Sequence, residues 1–365
     1  MTIFAIDLGN KQTKMTDGQH TYIYPSSLLQ ARKVDSGFSL DDKMDNMEKF
    51  KSSAQNGAFY WGKGILKYGK NDLSESLSFD RRYENRIFVQ LCEFSLAKLA
   101  QNYDEAKDGV LTVDYVMAGL PSADADNDDN VKQIKDIFKG QHLVEIDGTP
   151  ITVKVKQVFV FPQSTGTLYS IMYRGYNFEK PKESKVTAQE VELVNFMNEG
   201  VVGIVDIGGG TVLLDILRNS VFSRNDRDQL NLGANTLYEN IAGRVSRQFN
   251  INADIHKIEI LIRNGIKDGS FVYTRSAINK YDVTDIVKEE IEQWTYEIID
   301  NINSTFKSLS DIDILIVTGG GSEIIDKDIF VGAFPQIKVK FVDDAEVANA
   351  KGFYYKGKAL ELKSK

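Results

Sequence analysis

The segment Asp7–Lys14, DLGNKQTK, follows a short apolar run, and Asp206–Asp215, DIGGGTVLLD, repeats its form in the second half of the chain. Each segment opens on an aspartate at the end of a predicted strand, passes through glycine and returns as a second strand. Glycine has no Cβ atom, so it permits a tight turn and the close approach of a ligand. The repeat predicts two copies of one strand–turn–strand unit, each with a carboxylate beside its turn.

Length and composition limit the class of protein. The chain has 365 residues, 42% of them apolar and 26% charged, which indicates a globular protein with two domains. Its formal net charge of -8 argues against direct nucleic-acid binding, which needs clustered lysine and arginine. No run of about eighteen apolar residues and no secretory leader is found, so we expect a cytoplasmic protein without a membrane segment.

Cysteine and histidine usage excludes several kinds of site. The sole cysteine, Cys92, excludes a disulfide framework and a thiolate zinc site, and the helical spacing of its apolar neighbours predicts a buried thiol. The histidines are scattered and pair with no serine or cysteine, which argues against a hydrolase triad or a histidine metal site; they are His20, His142 and His256.

An acidic loop at Asp124, Asp126 and Asp128 alternates like a calcium-binding loop. The EF-hand pattern fails there, because its sixth position is Asp129 instead of glycine and its twelfth is Lys135 instead of glutamate. We therefore predict a solvated loop that caps the following helix.

Strands alternate with helices in both halves of the chain, which predicts an α/β protein whose two similar domains flank a ligand cleft. The first half contains a helix around Cys92, and the second contains a helix that opens at Gly233 and a long helix from Val283. The polar stretch 34–57 predicts a solvent-facing insertion.

The two aspartate turns offer the groups that bind a phosphate chain. In the first turn Gly9 allows close approach, and Asn10 and Lys14 add donors; a hairpin with a solvent-facing lysine is the alternative. The second turn presents a run of backbone amides from Gly208, Gly209, Gly210 and Thr211, although this run could also be a plain hairpin. Asp7 and Asp206 are suited to hold a hydrated Mg²⁺ ion.

A third glycine segment, IVTGGGSEI at 316–324, runs from a strand through Gly320, Gly321 and Ser322 towards a helical turn. Such a turn suits the sugar, base or phosphates of a nucleotide. The spacing differs from the dinucleotide fingerprint G-x-G-x-x-G, and the chain has no G-x-x-x-x-G-K-[ST] loop. The nucleotide site is therefore of another type.

These three segments, in this order, resemble the phosphate-1, phosphate-2 and adenosine motifs of the actin-like ATPase superfamily. The terminal DAEVANAKGFYYKG at 344–357 resembles the second connecting helix of that family, and MAGLPS at 117–122 and VFPQSTGTL at 160–168 resemble its ParM-like branch. The resemblance implies an actin-like, ribonuclease H-like fold. Domain I would comprise 1–164 with 344–365, and domain II 165–343.

The resemblance also implies roles for single residues. Gln163 matches the polar residue of the first interdomain connection and would orient the attacking water, with Asp7 and Asp206 as the other catalytic positions; helix capping is the alternative for Gln163. Gly233 and the third glycine segment match the nucleoside side, while Glu239 and Arg244 are more simply explained as solvated surface residues. Many relatives have aspartate where Leu213 stands, which leaves the role of Asp215 open.

The function implied is Mg-ATP hydrolysis, with GTP possible, coupled to head-to-tail filaments that segregate plasmid DNA through an adaptor bound to centromere-like DNA. Filaments that serve cell shape or phage positioning are an alternative, and so is a small-molecule kinase of the same superfamily. No aspartate base beside a sugar or acid pocket can be identified for a kinase.

Overall fold

A computed structural model of the chain describes residues 1–35, 46–68, 72–76, 82–223 and 225–363. Its contacts divide the chain into two compact units: unit 1 is Met1–Thr187 with Val347–Lys365, and unit 2 is Ala188–Glu346. Within the described ranges, no helix is both long and apolar enough to cross a membrane.

Unit 1 is built on one large mixed sheet. Its strands are β1 (Ile3–Leu8), β2 (Gln12–Thr16), β3 (Thr21–Pro25), β4 (Ser27–Gln30), β5 (Glu48–Ser52), β6 (Ala58–Trp61), β7 (Leu73–Glu75), β8 (Leu111–Leu120), β9 (Gly140–Ile146) and β10 (Thr149–Pro162). The strand order is β3-β2-β1-β8-β10-β9-β5-β6-β4-β7. Every residue of β1 is buried, as expected for a central strand covered on both faces.

Helices cover this sheet: α1 (Ala31–Asp35), α2 (Arg86–Ala100), α3 (Asp104–Asp108), α4 (Ser122–Ala125), α5 (Asp128–Phe138) and α6 (Gln163–Met172). The helix predicted around Cys92 is α2, and the Cys92 side chain is fully buried. The predicted cap of α5 is also confirmed, because the Asn127 side chain accepts hydrogen bonds from the first amides of α5. The prediction of a loop is wrong for Asp124, which lies in α4, and for Asp128, which begins α5.

Unit 2 repeats part of this plan with α7 (Ala188–Glu199), β11 (Val201–Ile207), β12 (Val212–Arg218), β13 (Val221–Phe222), β14 (Asp228–Leu230), α8 (Ala234–Phe249), α9 (Ile255–Gly265), β15 (Val272–Thr274), β16 (Lys280–Asp282), α10 (Thr284–Thr305), β17 (Ile314–Thr318), α11 (Lys327–Ala333) and β18 (Lys338–Phe341). Its main sheet has the order β13-β12-β11-β17-β18, and β14 pairs with β12. The last helix, α12 (Ala348–Lys363), belongs to unit 1.

The two sheets share one arrangement around their aspartate turns. In unit 1, β1 pairs antiparallel with β2 and parallel with β8, which is parallel to β10. In unit 2, β11 pairs antiparallel with β12 and parallel with β17, which is parallel to β18. The predicted α/β class and the duplicated strand–turn–strand unit are confirmed.

The structure moves the first predicted domain boundary. A division at 164/165 would cut α6 after its second residue, yet α6 packs closely on α12 of the same unit. A Cβ atom on Gly352 would lie 1.7 Å from the carbonyl oxygen of Gly166, so only glycine at this point lets the two helix backbones touch. The Thr167 hydroxyl also donates to Asn349 Oδ1 (2.9 Å). Contacts place the division at 187/188 and the return at 346/347.

The prediction of a solvent-facing insertion over 34–57 is wrong where it covers β5. Phe50 in that strand is fully buried and lies opposite Ile146 of β9, so the segment is part of the sheet and its core. The part of the prediction on 36–45 lies outside the described residues.

Candidate functional site

The first turn places the Asp7 carboxylate opposite a lysine. Asp7 is the penultimate residue of β1 and pairs in register with Lys14 on β2, so both side chains lie on the same face of the hairpin. Lys14 Nζ lies 3.6 Å from Asp7 Oδ2; the Asp7 side chain is 2% exposed and that of Lys14 is 15% exposed. The buried carboxylate is thus compensated by a cation that still reaches solvent.

Gln163 holds the same carboxylate from the other side. It is the first residue of α6, directly after Pro162 at the end of β10, and its Nε2 donates to Asp7 Oδ1 (2.8 Å) within the protein interior. A Cβ atom on Gly119 would lie 3.3 Å from Gln163 Cγ, so the neighbouring strand β8 limits where this side chain can go. The sequence-predicted residues Asp7, Lys14 and Gln163 therefore form one contiguous group.

The backbone of the first turn is oriented by Ser26. The Ser26 hydroxyl donates to the Gly9 carbonyl (2.6 Å), and its amide donates to the Lys11 carbonyl (2.8 Å). In a trans peptide the C=O and the next N–H point in opposite directions, so the amide of Asn10 points away from Ser26. The close turn requires Gly9, because a Cβ atom there would lie 2.8 Å from the Gln12 carbonyl oxygen.

A buried arginine that the sequence did not single out lies beside this turn. Arg82 Nη2 donates to the Leu8 carbonyl, and within the described residues its buried Nε has no hydrogen-bond partner. Burial lowers the pKa of the Arg82 guanidinium, while the nearby Tyr83, Asp7 and Asp124 oppose that shift. In the sequence, the two adjacent arginines of RRYEN are the only sign of this residue. No hydrophobic periodicity there indicates that one of them is buried.

In unit 2, Asp206 takes the position that Asp7 has in unit 1, near the end of β11. Its register partner on β12 is Leu213, where unit 1 has Lys14, so the second turn supplies no cation at this point. Asp215 lies two residues farther along β12, buried and opposite Ile204, which puts it on the same face of the sheet as Asp206.

The second turn rests on the N-terminus of α8. The amides of Ala234 and Asn235 donate to the carbonyls of Gly208 (3.0 Å) and Gly209 (2.8 Å). Since each peptide is trans, the amides of Gly209 and Gly210 point away from α8. Consecutive amides with a shared direction form an anion-binding concavity, and Gly209 and Gly210 supply two such amides. The amide of Gly208 instead donates to the Thr211 carbonyl (2.8 Å), so the prediction that it belongs to the donor run is wrong.

Gly233 is required for this docking. A Cβ atom on Gly233 would lie 2.5 Å from the amide nitrogen of Thr211 and 2.8 Å from the carbonyl oxygen of Gly208. These are backbone atoms that cannot rotate away, so any larger residue would separate α8 from the turn. Gly233 thus allows α8 to pack directly against the backbone of the second turn.

The third glycine segment joins the second turn within unit 2. Gly319 has φ +83°, and a Cβ atom there would lie 2.4 Å from Asp206 Oδ1. A Cβ atom on Gly321 would lie 2.4 Å from the Ile207 side chain, and Gly320 faces Glu346. The segment continues as a short 3-10 helix, Gly320–Glu323, in which the buried Ser322 hydroxyl donates to the Gly319 carbonyl (2.7 Å).

Two charged residues of α8 make local contacts. Glu239 accepts a hydrogen bond from Asn235 Nδ2 (2.7 Å), and Arg244 pairs with Glu289 (2.6 Å) and Glu290 (3.1 Å) of α10. Hydrogen bonds with these two glutamates raise the pKa of Arg244. Arg244 thus links α8 to α10, whereas the contact of Glu239 lies within α8 itself.

The acidic residues fit a magnesium ion that keeps most of its water. No group of three or more histidine, cysteine, aspartate or glutamate side chains suited to a metal occurs in the described parts of the chain. Each turn supplies one buried carboxylate, Asp7 or Asp206. Mg²⁺ is typically bound by one or two carboxylates together with waters and substrate phosphates, so the single carboxylate of either turn, taken by itself, is a suitable ligand.

Two family models match the chain in succession. The Actin like proteins N terminal domain matches residues 5–166, and the Alp7A C-terminal domain matches residues 201–333. The chain is an actin-like protein. The predicted recognition of an actin-like, ParM-type protein and the predicted fold class are confirmed. No curated protein matches this sequence significantly.

Solved structures with this fold match the whole chain. The apo psk41 ParM protein is 23% identical, with a TM-score of 0.71 over 99% of this chain and 98% of that one. Ta0583, an archaeal actin homolog in complex with ADP, is 16% identical, with a TM-score of 0.74 over 98% and 100%. A 15-stranded ParM filament from Clostridium botulinum is 17% identical, with a TM-score of 0.70 over 98% and 99%.

Proposed function

We propose that this actin-like protein binds and hydrolyses Mg-ATP and that the nucleotide controls its assembly into filaments. The observation that carries the proposal is the Asp7 carboxylate, buried beside a glycine turn and held between Lys14 (3.6 Å) and Gln163 (2.8 Å). A buried acid, a cation and a positioned side-chain amide beside the backbone amide of Asn10 are parts that phosphoryl transfer uses, because it depends on positioning and charge stabilisation.

Each residue has a proposed task. Lys14 and the amide of Asn10 bind phosphate oxygens, and the amides of Gly209, Gly210 and Thr211 bind the phosphate chain from unit 2. Asp7 and Asp206 hold waters of the metal ion, and when bound Mg²⁺ neutralises charge on the phosphates. Gln163 orients the attacking water through its side-chain amide, because glutamine cannot act as a strong base.

The nucleoside side of the proposal rests on the third glycine segment. At Gly320 the atom nearest to an added Cβ would be Glu346 Cγ, 3.7 Å away, and this space permits a sugar or base to approach the backbone closely. Gly321 and Gly233 pack against Ile207 and against the second turn, so they support the shape of the segment beside the nucleoside. Ser322 supports the turn through its hydroxyl. We propose that the adenosine of ATP, or the guanosine of GTP, contacts this segment.

Assembly into filaments is supported by a similar structure, and the use of an adaptor for DNA is supported by charge. One similar structure is described as a ParM filament and another as an ADP complex of an archaeal actin homolog. With a net charge of -8, the protein itself is a poor ligand for DNA. We therefore propose a cytoplasmic filament that pulls plasmid DNA through an adaptor bound to a centromere-like site.

Calorimetry and sedimentation together test this function. We expect heat of binding with ATP plus Mg²⁺, phosphate release, and protein in the pellet as filaments visible by electron microscopy. Absence of binding by ATP and GTP in the presence of Mg²⁺ would refute the proposal. A monomer that consumes ATP only when a sugar is added would identify a small-molecule kinase instead.

A further inference from the structure

The β15–β16 hairpin of unit 2 carries an unusually exposed apolar residue. Ile278 at its tip is 90% exposed, and Arg275 and Lys280 on either side are exposed cations. The tip has a fixed shape, because the amide of Arg275 donates to the Asn279 carbonyl (3.0 Å) and the amide of Asn279 donates to the Ser276 hydroxyl (3.2 Å). The hairpin thus presents an aliphatic side chain between two positive charges on a preorganised loop.

Unit 2 also contains a cavity of opposite charge, of about 300 Å³. The cavity is open to solvent, so a side chain of another molecule can enter it. Its walls are Glu192, Asn195, Phe196, Glu199, Gly200 and Asp313. They supply three carboxylates and an aromatic ring but no basic side chain. The nearby Lys338 pairs with one carboxylate, Glu192 (2.8 Å), and its Nζ lies 5.6 Å from the centre of the Phe196 ring, so the negative charge offered to a second cation comes from Glu199 and Asp313.

The hairpin and the cavity lie at opposite ends of α10. The helix begins directly after β16, where the amide of Phe271 donates to the Thr284 hydroxyl (3.0 Å). Phe306, which follows its last residue, packs against Gly203 near the start of β11, beside the cavity wall at Gly200. A helix of 22 residues is about 33 Å long, so a molecule cannot place its own hairpin in its own cavity.

We propose that the β15–β16 hairpin of one copy docks in the acidic cavity of the next copy and that this is a head-to-tail contact of the filament. Ile278 would pack against Phe196, and Arg275 and Lys280 would lie near Glu199 and Asp313. A contact between two different surfaces at opposite ends of a unit generates an open chain of subunits instead of a closed dimer. This inference rests on the proposed function, because it names the surfaces that the filament uses.

Charge complementarity is the reason to choose a second copy as the occupant. Every copy that carries the acidic cavity also carries a matched tip of opposite charge, with an apolar residue at its centre. An apolar anchor surrounded by charged groups is a common organisation of binding hot spots. A basic segment of an adaptor is the competing occupant, and the experiment below separates the two.

Cysteine cross-linking with a short bis-maleimide tests the contact, and the buried Cys92 leaves little background. The full-length double variant Ile278→Cys/Asn195→Cys should give a ladder of covalent multimers with Mg-ATP. An equimolar mixture of the two single variants should stop at dimers. The control Ile260→Cys/Asn195→Cys, with its first cysteine at an exposed position on α9, should give no ladder.

A charge exchange tests the same contact without labels. Arg275→Glu or Glu199→Arg alone should raise the critical concentration for pelleting by about tenfold or more, as expected for truncation of an interface hot spot. The double variant should recover part of that loss. If wild-type protein pellets normally as filaments but positions 278 and 195 do not cross-link, the inference is overturned. The proposed function would then be intact, and adaptor binding would be the remaining use of the cavity. If the wild-type protein does not pellet with any nucleotide, the proposed filament function is overturned. Covalent dimers from the mixture of single variants would still support the contact between hairpin and cavity in that case.

Discussion

Replacing Gln163 by alanine separates a catalytic role of its amide from a purely structural one. The substitution removes the 2.8 Å hydrogen bond to Asp7, and a hydrogen bond to a charged group contributes about 1.5–3 kcal/mol. For a unit of this size each kcal/mol corresponds to roughly 2–4 °C, so the melting temperature should fall by about 3–12 °C. If the amide also orients the attacking water, kcat for ATP hydrolysis should fall about 10²-fold, or about 2.7 kcal/mol.

Phosphate release at saturating Mg-ATP, calorimetric Kd and thermal denaturation give these three quantities on the same protein. Gln157→Ala is the matched control, because Gln157 is exposed on the same strand, β10, and should leave all three unchanged. A tenfold or larger increase in Kd with kcat unchanged would assign Gln163 to positioning Asp7. Unchanged kcat and unchanged Kd would refute the proposed role of the residue altogether.

Three further predictions concern stability and reactivity. Gly319→Ala should destabilise unit 2 by more than about 1–2 kcal/mol in urea unfolding, since φ is +83° and the added Cβ clashes with the backbone of Ile207. The control is Gly332→Ala, whose added Cβ meets nothing within 4 Å, so this variant should be neutral or slightly more stable. Burial raises the pKa of the Cys92 thiol well above its usual value, so iodoacetamide should label it only after unfolding, and rapid native labelling would contradict the described packing. Burial opposes ionisation of Asp114, yet hydrogen bonds from Lys156 and a backbone amide lower its pKa. Its stabilisation is therefore present above its unfolded pKa of about 3.9 and lost as pH falls through the lower folded value. The deficit of Asp114→Asn in unfolding free energy at pH 7 should therefore shrink as the pH is lowered below about 3.9.

Local sequence chemistry was sufficient to predict the two aspartate turns. An apolar strand, a carboxylate and glycines specify a hairpin over a few residues, and both turns form where DLGNKQTK and DIGGGTVLLD stand. The helices that open near Gly233 and Val283 were likewise predictable from apolar spacing. These features depend on contacts between residues close together in the chain.

The features that were missed depend on distant contacts. The segment of β5, EKFKS, contains a single apolar residue and reads as surface, and only its pairing with β9 shows that Phe50 is buried. The break at Pro162 suggests a domain boundary, but the contact of Gly166 with Gly352 assigns α6 to unit 1. No local sequence pattern predicts that the Gln163 side-chain amide donates a hydrogen bond to Asp7. None predicts that Arg82 is buried beside the first turn.

The interrupted path of unit 1 has a consequence for synthesis on the ribosome. The cluster of Ile3, Ala5, Met117 and Phe353 includes a side chain from α12, which is translated after the whole of unit 2. Unit 2 is continuous in sequence and can therefore complete its core first. Until α12 has been synthesised, one face of the β1–β8 pair stays uncovered. A nascent chain at that stage exposes apolar surface and should bind a holdase chaperone until residues 348–363 emerge from the exit tunnel.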